Sequence, residues 1–202
     1  MEQQDILSMT LPELQAAVQE LGEPKFRAKQ IFNWLHQKRV TDFSEMTTLS
    51  LPFRERLASD FCINRLKIAK RLASSVDDTV KYLYELPDGN YVETVCMQYH
   101  HGTSLCISTQ VGCRMGCRFC ASAIAGFVRN LTPAEMLLQI YETERAQNCK
   151  ISSLVLMGIG EPLDNFDNVL RFLQLLSDPN GYGMSLRHVT VSTCGVVPKI
   201  LE

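Results

Sequence analysis

The chain has 202 residues, 46% of them hydrophobic, with a formal net charge of −2. That is apolar material for one sizeable core or two small ones, and the charge balance excludes a global polyanion-binding surface. Eight cysteines would suit a secreted disulfide scaffold, but Met1-Glu-Gln-Gln-Asp5 has no basic or apolar leader character and no apolar run approaches a membrane span, so the expectation is a cytoplasmic protein in which clustered cysteines mean metal or redox chemistry.

Thr10-Leu-Pro-Glu13 carries the signature of a helix start, with Thr as the cap, Pro in the first turn and Glu closing a capping box. Leu11, Leu14, Val18 and Leu21 continue it at helical spacing, and Gly22 ends it. A second helix is expected from Lys25 to Gln37, with Phe26, Ile31, Trp34 and Leu35 as its buried face, and a third over Leu51–Phe61. Residues 1–75 thus read as a small helical unit, with Trp34 a core residue rather than a base-stacking platform. Residues 25–71 carry eleven Lys/Arg against four acids, a footprint for nucleic acid or a solvated helical face.

Near residue 66 the pattern changes to strands. Lys67–Ser74 and Thr79–Leu86 alternate or are β-branched, Pro87-Asp-Gly-Asn90 is a turn, and Tyr91–Tyr99 returns. Residues 76–104 read as a hairpin connector that turns at His100-His-Gly102 into a strand at Leu105–Thr109. From 105 to 202 the order is strand, loop, helix, three times. Thr132-Pro-Ala-Glu135 caps a helix to about Asn148, Ile151–Met157 reads as a parallel strand buried on both faces, Asn165–Leu176 is a helix, and His188–Thr193 is a strand. The fold class is therefore α/β, a helical unit followed by a hairpin and a parallel sheet, open or curled into a partial barrel. Ligands of such sheets sit at the carboxyl ends of the strands, where the loops after residues 109, 157 and 192 meet.

The first of those loops holds Cys113-Arg-Met-Gly-Cys117-Arg-Phe-Cys120. Three thiolates in C-x₃-C-x₂-C spacing suit an iron–sulfur cluster with one iron open to a ligand. Structural zinc would ask for a further Cys or His pair at short spacing, and none follows; a zinc-stabilised module stays a rival, as do three core cysteines. Gly112 and Gly116 suit a backbone wrapped closely round a cofactor, and Phe119 is placed to shield it from water. Gly160-Glu161-Pro162 suits a cofactor amino group, and Ser192 a ligand carboxylate or ribose. His36, His100, His101 and His188 have no ligand spacing, and Cys62, Cys96, Cys149 and Cys194 read as small core residues.

Ser108-Thr-Gln-Val-Gly-Cys-Arg-Met-Gly-Cys-Arg-Phe-Cys120, Leu156-Met-Gly-Ile-Gly-Glu-Pro-Leu-Asp-Asn165 and His188-Val-Thr-Val-Ser-Thr-Cys-Gly-Val-Val-Pro198 resemble the radical S-adenosylmethionine (SAM) adenine-C2 methyltransferases of the RlmN/Cfr family over essentially the whole chain. The resemblance implies a partial radical SAM (β/α) barrel, a [4Fe-4S] cluster on Cys113, Cys117 and Cys120, and SAM contacts from Gly160, Glu161 and Ser192. It implies methylation of adenosine C2 in 23S ribosomal RNA and, in part of the family, transfer RNA. Family members methylate one of their own cysteines, and a 5′-deoxyadenosyl radical then activates that methyl group. Cys106 matches the cysteine that resolves the protein–RNA adduct through a disulfide, and Glu93 the proton acceptor. An external electron donor such as flavodoxin or ferredoxin is implied, as is a monomer at full length, with no membrane partner. A Cfr-like adenine-C8 enzyme shares these motifs, and a non-catalytic RNA-binding fragment is the rival from another class. In the family the methyl-carrying cysteine lies near the C-terminus; here no cysteine follows Cys194, so the expectation is an N-terminal fragment that does not complete the reaction.

Overall fold

A computed structural model describes residues 3–124 and 126–202; Met1, Glu2 and Ala125 lie outside the described residues. A short strand β1 (Gln4–Asp5) precedes helix α1 (Leu11–Glu20), whose capping box forms as the sequence implies: the Thr10 N–H donates to Glu13 at 2.8 Å. Helix α2 (Phe26–Asn33) continues into a π-helical turn over Trp34–Lys38 that ends on Arg39 in the left-handed region, φ 55°. Its buried face is Ala28, Ile31, Phe32 and Leu35, which corrects the expected set. Phe26 stands two residues from Ala28, on the far side of a helix, and is 56% exposed. Trp34 is half-buried at the edge of the core. Helix α3 (Leu51–Asp60) and strand β2 (Phe61–Cys62), which pairs in parallel with β1, complete the helical unit.

Strands β3 (Lys67–Ala73), β4 (Val80–Glu85), β5 (Tyr91–Tyr99) and β6 (Gly102–Cys106) form an antiparallel meander. A small hairpin, β7 (Gln110–Gly112) with β8 (Phe127–Asn130), follows and leads to helix α4 (Pro133–Gln147). Strand β9 (Ile151–Leu156), helix α5 (Phe166–Ser177), strand β10 (Val189–Val191) and the single turn α6 (Val197–Ile200) end the series. The main sheet has six strands in the order β10-β9-β6-β5-β4-β3, with β10, β9 and β6 parallel. The hairpin expected as a connector is thus continuous with the parallel strands in one sheet.

One face of that sheet carries the core. Tyr82, Tyr84, Val92, Leu105, Leu154 and Leu156 are buried there, and α4 reaches it through Tyr84–Thr143 (2.9 Å) and Thr94–Gln139 (2.8 Å) hydrogen bonds. On the other face Ser153 and Val155 are only half-buried, so β9 is not covered on both sides as its apolar run suggested. Register places Val95, Cys106, Val155 and Thr190 in one row of this open face. Glu93 lies two residues before Val95 and therefore on the same side.

The helical unit is not a tethered appendage. One continuous core runs through it and the sheet. Its polar seams are the Arg171–Glu13 ion pair, the Ala134 N–H donating to Ser8 Oγ (3.1 Å), His36 Nδ1 against Tyr141 OH (2.9 Å), and Arg39 paired with the buried Glu144. Burial holds the His36 imidazole neutral, its pKa pulled down to about 4.

Asp5 is the weak point of this seam. Burial, with a smaller push from Glu135, outweighs hydrogen bonds from Leu7 and Asn64 and raises its pKa to about 6; among the described residues Oδ2 has no hydrogen-bond partner. The folded state therefore holds this proton more tightly than the unfolded chain, whose pKa is near 3.8. Stability from that proton is complete below about pH 4 and gone above about pH 6. Asp5→Asn should raise the melting temperature by a few degrees at pH 8 and leave it unchanged at pH 3.5. Equal shifts at both pH values in thermal melts would contradict this account of the site.

Candidate active site

Ser108 to Gly112 carry the chain from β6 to the cysteine loop, and they are buried. Most of their polar groups are satisfied by four neighbouring segments, while the buried Thr109 Oγ1 has no hydrogen-bond partner among the described residues. Ser108 Oγ donates to the Glu93 carbonyl (2.6 Å) and accepts from the Ile159 N–H (3.0 Å). The Gln139 amide accepts from the Ser108 N–H (2.9 Å) and donates to its carbonyl (3.0 Å). Gln110 Oε1 accepts from the Glu161 N–H (2.9 Å), while Nε2 donates to Asn130 and Asp164, each at 2.8 Å. Asn165 Nδ2 donates to the carbonyls of Thr109 and Leu131, also at 2.8 Å. The 158–165 loop is thereby locked to the base of the cysteine loop.

Close packing makes the same connection. At Gly160, φ is +108°, and an added Cβ would meet Gln110 at 2.6–2.8 Å. At Gly112 an added Cβ would fall 1.7 Å from the Gly126 carbonyl oxygen, where the two ends of the cysteine loop close and the Cys113 N–H donates to that oxygen (3.1 Å). These glycines admit the protein's own backbone and side chains, not only a cofactor. Arg114 braces the loop further, ion-paired to Asp164 (2.9 Å) and lying over the Phe127 ring (3.9 Å).

A cleft of about 350 Å³ opens at the carboxyl ends of β6, β9 and β10. The thiol-bearing Cys113, Cys117 and Cys120 line one wall, and Gly158, Gly160, Glu161, Ser192 and Cys194 the other. Among the described residues no group of three or more His, Cys, Asp or Glu side chains is drawn together as a closed metal centre. The donor set fits an iron–sulfur cluster in its chemistry: three soft thiols, half-buried, on one loop facing one cavity. Phe119 is 95% exposed, so it does not form the water shield expected of it. Glu161 is buried and bridges two loops, accepting from the Cys194 N–H (2.7 Å) and the Leu163 N–H (2.9 Å). Burial pushes its pKa up, but these hydrogen bonds together outweigh it and keep the carboxyl below its ordinary range. The same carboxylate raises the Cys194 thiol to about 11. Ser192 is exposed on the cleft wall.

Cys106 and Glu93 do not line this cleft. They share the open face of the sheet beside it. Burial raises the Cys106 thiol above its usual pKa, partly offset by a hydrogen bond with the Met157 backbone. Glu93 is ion-paired to Lys81 at 2.6 Å, both side chains partly exposed. Sequence reasoning missed Gln110, Gln139, Ser108 and Asn165 as the residues that hold the site. A signal existed for Gln139, a lone amide inside the apolar run Met136–Ile140.

A mixed α/β sheet presents a three-cysteine loop against a Gly-Glu-Pro loop beyond its parallel strands, the stretch of the chain that matches the radical SAM class. Residues 107–202 match the radical SAM superfamily model, and residues 4–63 match the ribosomal RNA large subunit methyltransferase N-terminal domain. The chain is 53% identical over 199 residues to a probable dual-specificity RNA methyltransferase RlmN of Lachnoclostridium phytofermentans, covering 97% of this chain and 55% of that protein. It is 48% identical over 200 residues to the protein so described in Bacillus cytotoxicus, covering 98% and 55%. A crystal structure of a radical SAM methyltransferase from Sphaerobacter thermophilus superposes with a TM-score of 0.90 at 35% identity, covering 98% of this chain and 59% of that one. The chain belongs to the RlmN family of radical SAM methyltransferases, and it spans a little over half the length of the curated relatives it matches.

Gly160→Ala should destabilise the fold by about 3 kcal/mol, because backbone strain adds to a collision with the buried Gln110. Gly116→Ala, whose Cβ would meet nothing within 4 Å, should cost only about 1 kcal/mol. Chemical denaturation of the two variants measures the difference, and equal costs would remove Gly160 from the role of a packing contact.

Proposed function

We propose that this chain is the cluster-bearing part of an RNA methyltransferase acting on ribosomal RNA and, with dual specificity, on transfer RNA. The observation that carries the reading is the shared cleft: three cysteines on one side, and a buried carboxylate loop with Ser192 on the other. Cys113, Cys117 and Cys120 would hold a [4Fe-4S] cluster, and Gly160, Glu161 and Ser192 would border SAM. When bound, these cofactors supply one-electron chemistry able to activate an unreactive methyl group, fed by an external donor such as flavodoxin or ferredoxin.

The chain's own residues serve that chemistry by position. Gln110 and Glu161 hold the two walls of the cleft in register. Glu93, on the open face beside Cys106, would accept the proton lost from adenine C2, and Cys106 would resolve a protein–RNA adduct. A second cysteine must carry the methyl group, and none follows Cys194. We therefore propose that these 202 residues alone do not form 2-methyladenosine, and that the full-length protein acts as a monomer. Mass spectrometry of an RNA substrate incubated with the reconstituted chain, SAM and reductant tests this; 2-methyladenosine in the product would refute it.

Replacing Cys113, Cys117 or Cys120 singly with Ala should abolish cluster assembly on anaerobic reconstitution, because three ligands leave no spare. Iron and sulfide analysis reads the result. A variant that kept full iron and sulfide would overturn the ligand set, and a colourless protein with stoichiometric zinc would point to a structural metal instead.

RNA binding has a candidate surface on β3. Lys67, Lys70 and Arg71 are exposed on this edge strand and make no ion pair among the described residues. If each neutralises one phosphate, reversing all three to Glu should flatten the slope of log affinity against log salt by about 2. An unchanged slope would return the strand to the role of a solvated edge.

A further inference from the structure

The helical unit carries a second cleft, of about 260 Å³, lined by Lys29, Gln30, Asn33, Trp34, Lys38 and Thr48. Trp34 and Lys38 of its lining are the two ends of the π-helical turn that continues α2, a distortion that often marks functional positions. The indole is half-buried and fixed edge-on by its Nε1–H donating to Thr48 Oγ1 at 2.8 Å. The Lys38 ammonium lies over the ring, 3.3 Å from its centroid. Lys29 and Lys38 are exposed and make no ion pair among the described residues. Gln30 has its oxygen engaged by Arg27, and Asn33 its nitrogen by Gln37. That leaves an amide N–H₂ on Gln30 and an amide oxygen on Asn33 without hydrogen-bond partners among the described residues, on two residues that line the cleft with Trp34.

We propose that this cleft binds one unstacked nucleotide of a single-stranded RNA segment. The aromatic face, an amide donor, an amide acceptor and two mobile cations are the set such a nucleotide requires: a platform for the base, partners for its edge, and charge for its phosphates. An acidic peptide would use the lysines but neither the ring face nor the amides. In the unliganded protein Lys38 covers the ring by cation–π attraction; on binding, the ammonium moves to a phosphate and the base takes its place. The inference rests on the reading of the chain as part of an RNA-modifying enzyme, and it names where on the helical unit the RNA is gripped.

Trp34 is the only tryptophan in the chain, so its emission reports this cleft alone. A fluorescein-labelled octa-adenylate RNA would be titrated into the 202-residue chain, following label anisotropy and, with unlabelled RNA, tryptophan emission. Both signals should saturate together, with the emission quenched, and polyglutamate of equal charge should leave emission unchanged. Trp34→Leu should weaken binding about fivefold to a hundredfold. Lys38→Gln, an exposed change that spares the core, should weaken it and reduce its salt dependence. Anisotropy that rises while emission stays constant would place the RNA elsewhere and overturn this site, leaving the enzyme reading intact. Quenching by polyglutamate would make the cleft a general anion surface and also overturn it. Failure of the octamer and of folded ribosomal RNA fragments alike to bind would overturn both.

Discussion

A buried backbone N–H without a partner costs about 1–3 kcal/mol, and the segment leaving β6 buries several at once. The Ser108 N–H finds the Gln139 amide and the Thr109 and Gln110 N–H groups the Ile159 carbonyl, while the Ser108, Gln110 and Asn165 side chains bond in turn to the Ile159 N–H, the Glu161 N–H and the Thr109 carbonyl. These bonds join elements far apart in sequence: the start of β5, the middle of α4, the loop after β9 and the base of the cysteine loop. A cofactor cleft must hold its walls to within about half an ångström. Here that constraint is met by side-chain amides in a dry core, where each hydrogen bond is strengthened by low local polarity. The cysteine loop itself makes few such bonds. It is fastened at its ends, by Gly112 against Gly126 and by Arg114 to Asp164.

The two loops that meet at the candidate cleft were legible because the spacing of their residues is local. Three cysteines within eight residues, or Gly-Glu-Pro after an apolar run, can be read without knowing the fold. Helix starts were legible for the same reason, since Thr10 and Thr132 and their partner glutamates lie three residues apart. What failed was long-range. The expected strand at Leu105–Thr109 ends at Cys106 because Ser108 turns to Gln139 and Ile159. Phe26 was misplaced because the stripe of α2 is set by the surface it packs on. The β7–β8 hairpin went unseen because its strands are three and four residues long and separated by the cysteine loop. Glu161 was legible as polar and loop-borne, but not as the strut that holds Cys194.

The two faces of the main sheet divide labour. The helix-covered face is a packed core shared with the helical unit, so stability and the orientation of that unit are set together. The open face carries Lys81, Glu93 and Cys106 with half-buried apolar neighbours. Titratable groups stay accessible there because no tight packing covers them. The cleft at the strand ends joins that face through Met157, which lines the cleft and bonds through its backbone to Cys106.

The central claim is that Cys113, Cys117 and Cys120 would hold an iron–sulfur cluster, with SAM bound beside it in the cleft they share with Gly160 and Glu161. Electron paramagnetic resonance of the anaerobically reconstituted, reduced chain tests it most directly, recorded before and after adding SAM. The account predicts the signal of a reduced [4Fe-4S] cluster whose g values shift when SAM is added, and a much smaller shift in Gly160→Ala. A cluster signal indifferent to SAM, or no cluster signal from a protein that instead holds zinc, would contradict it.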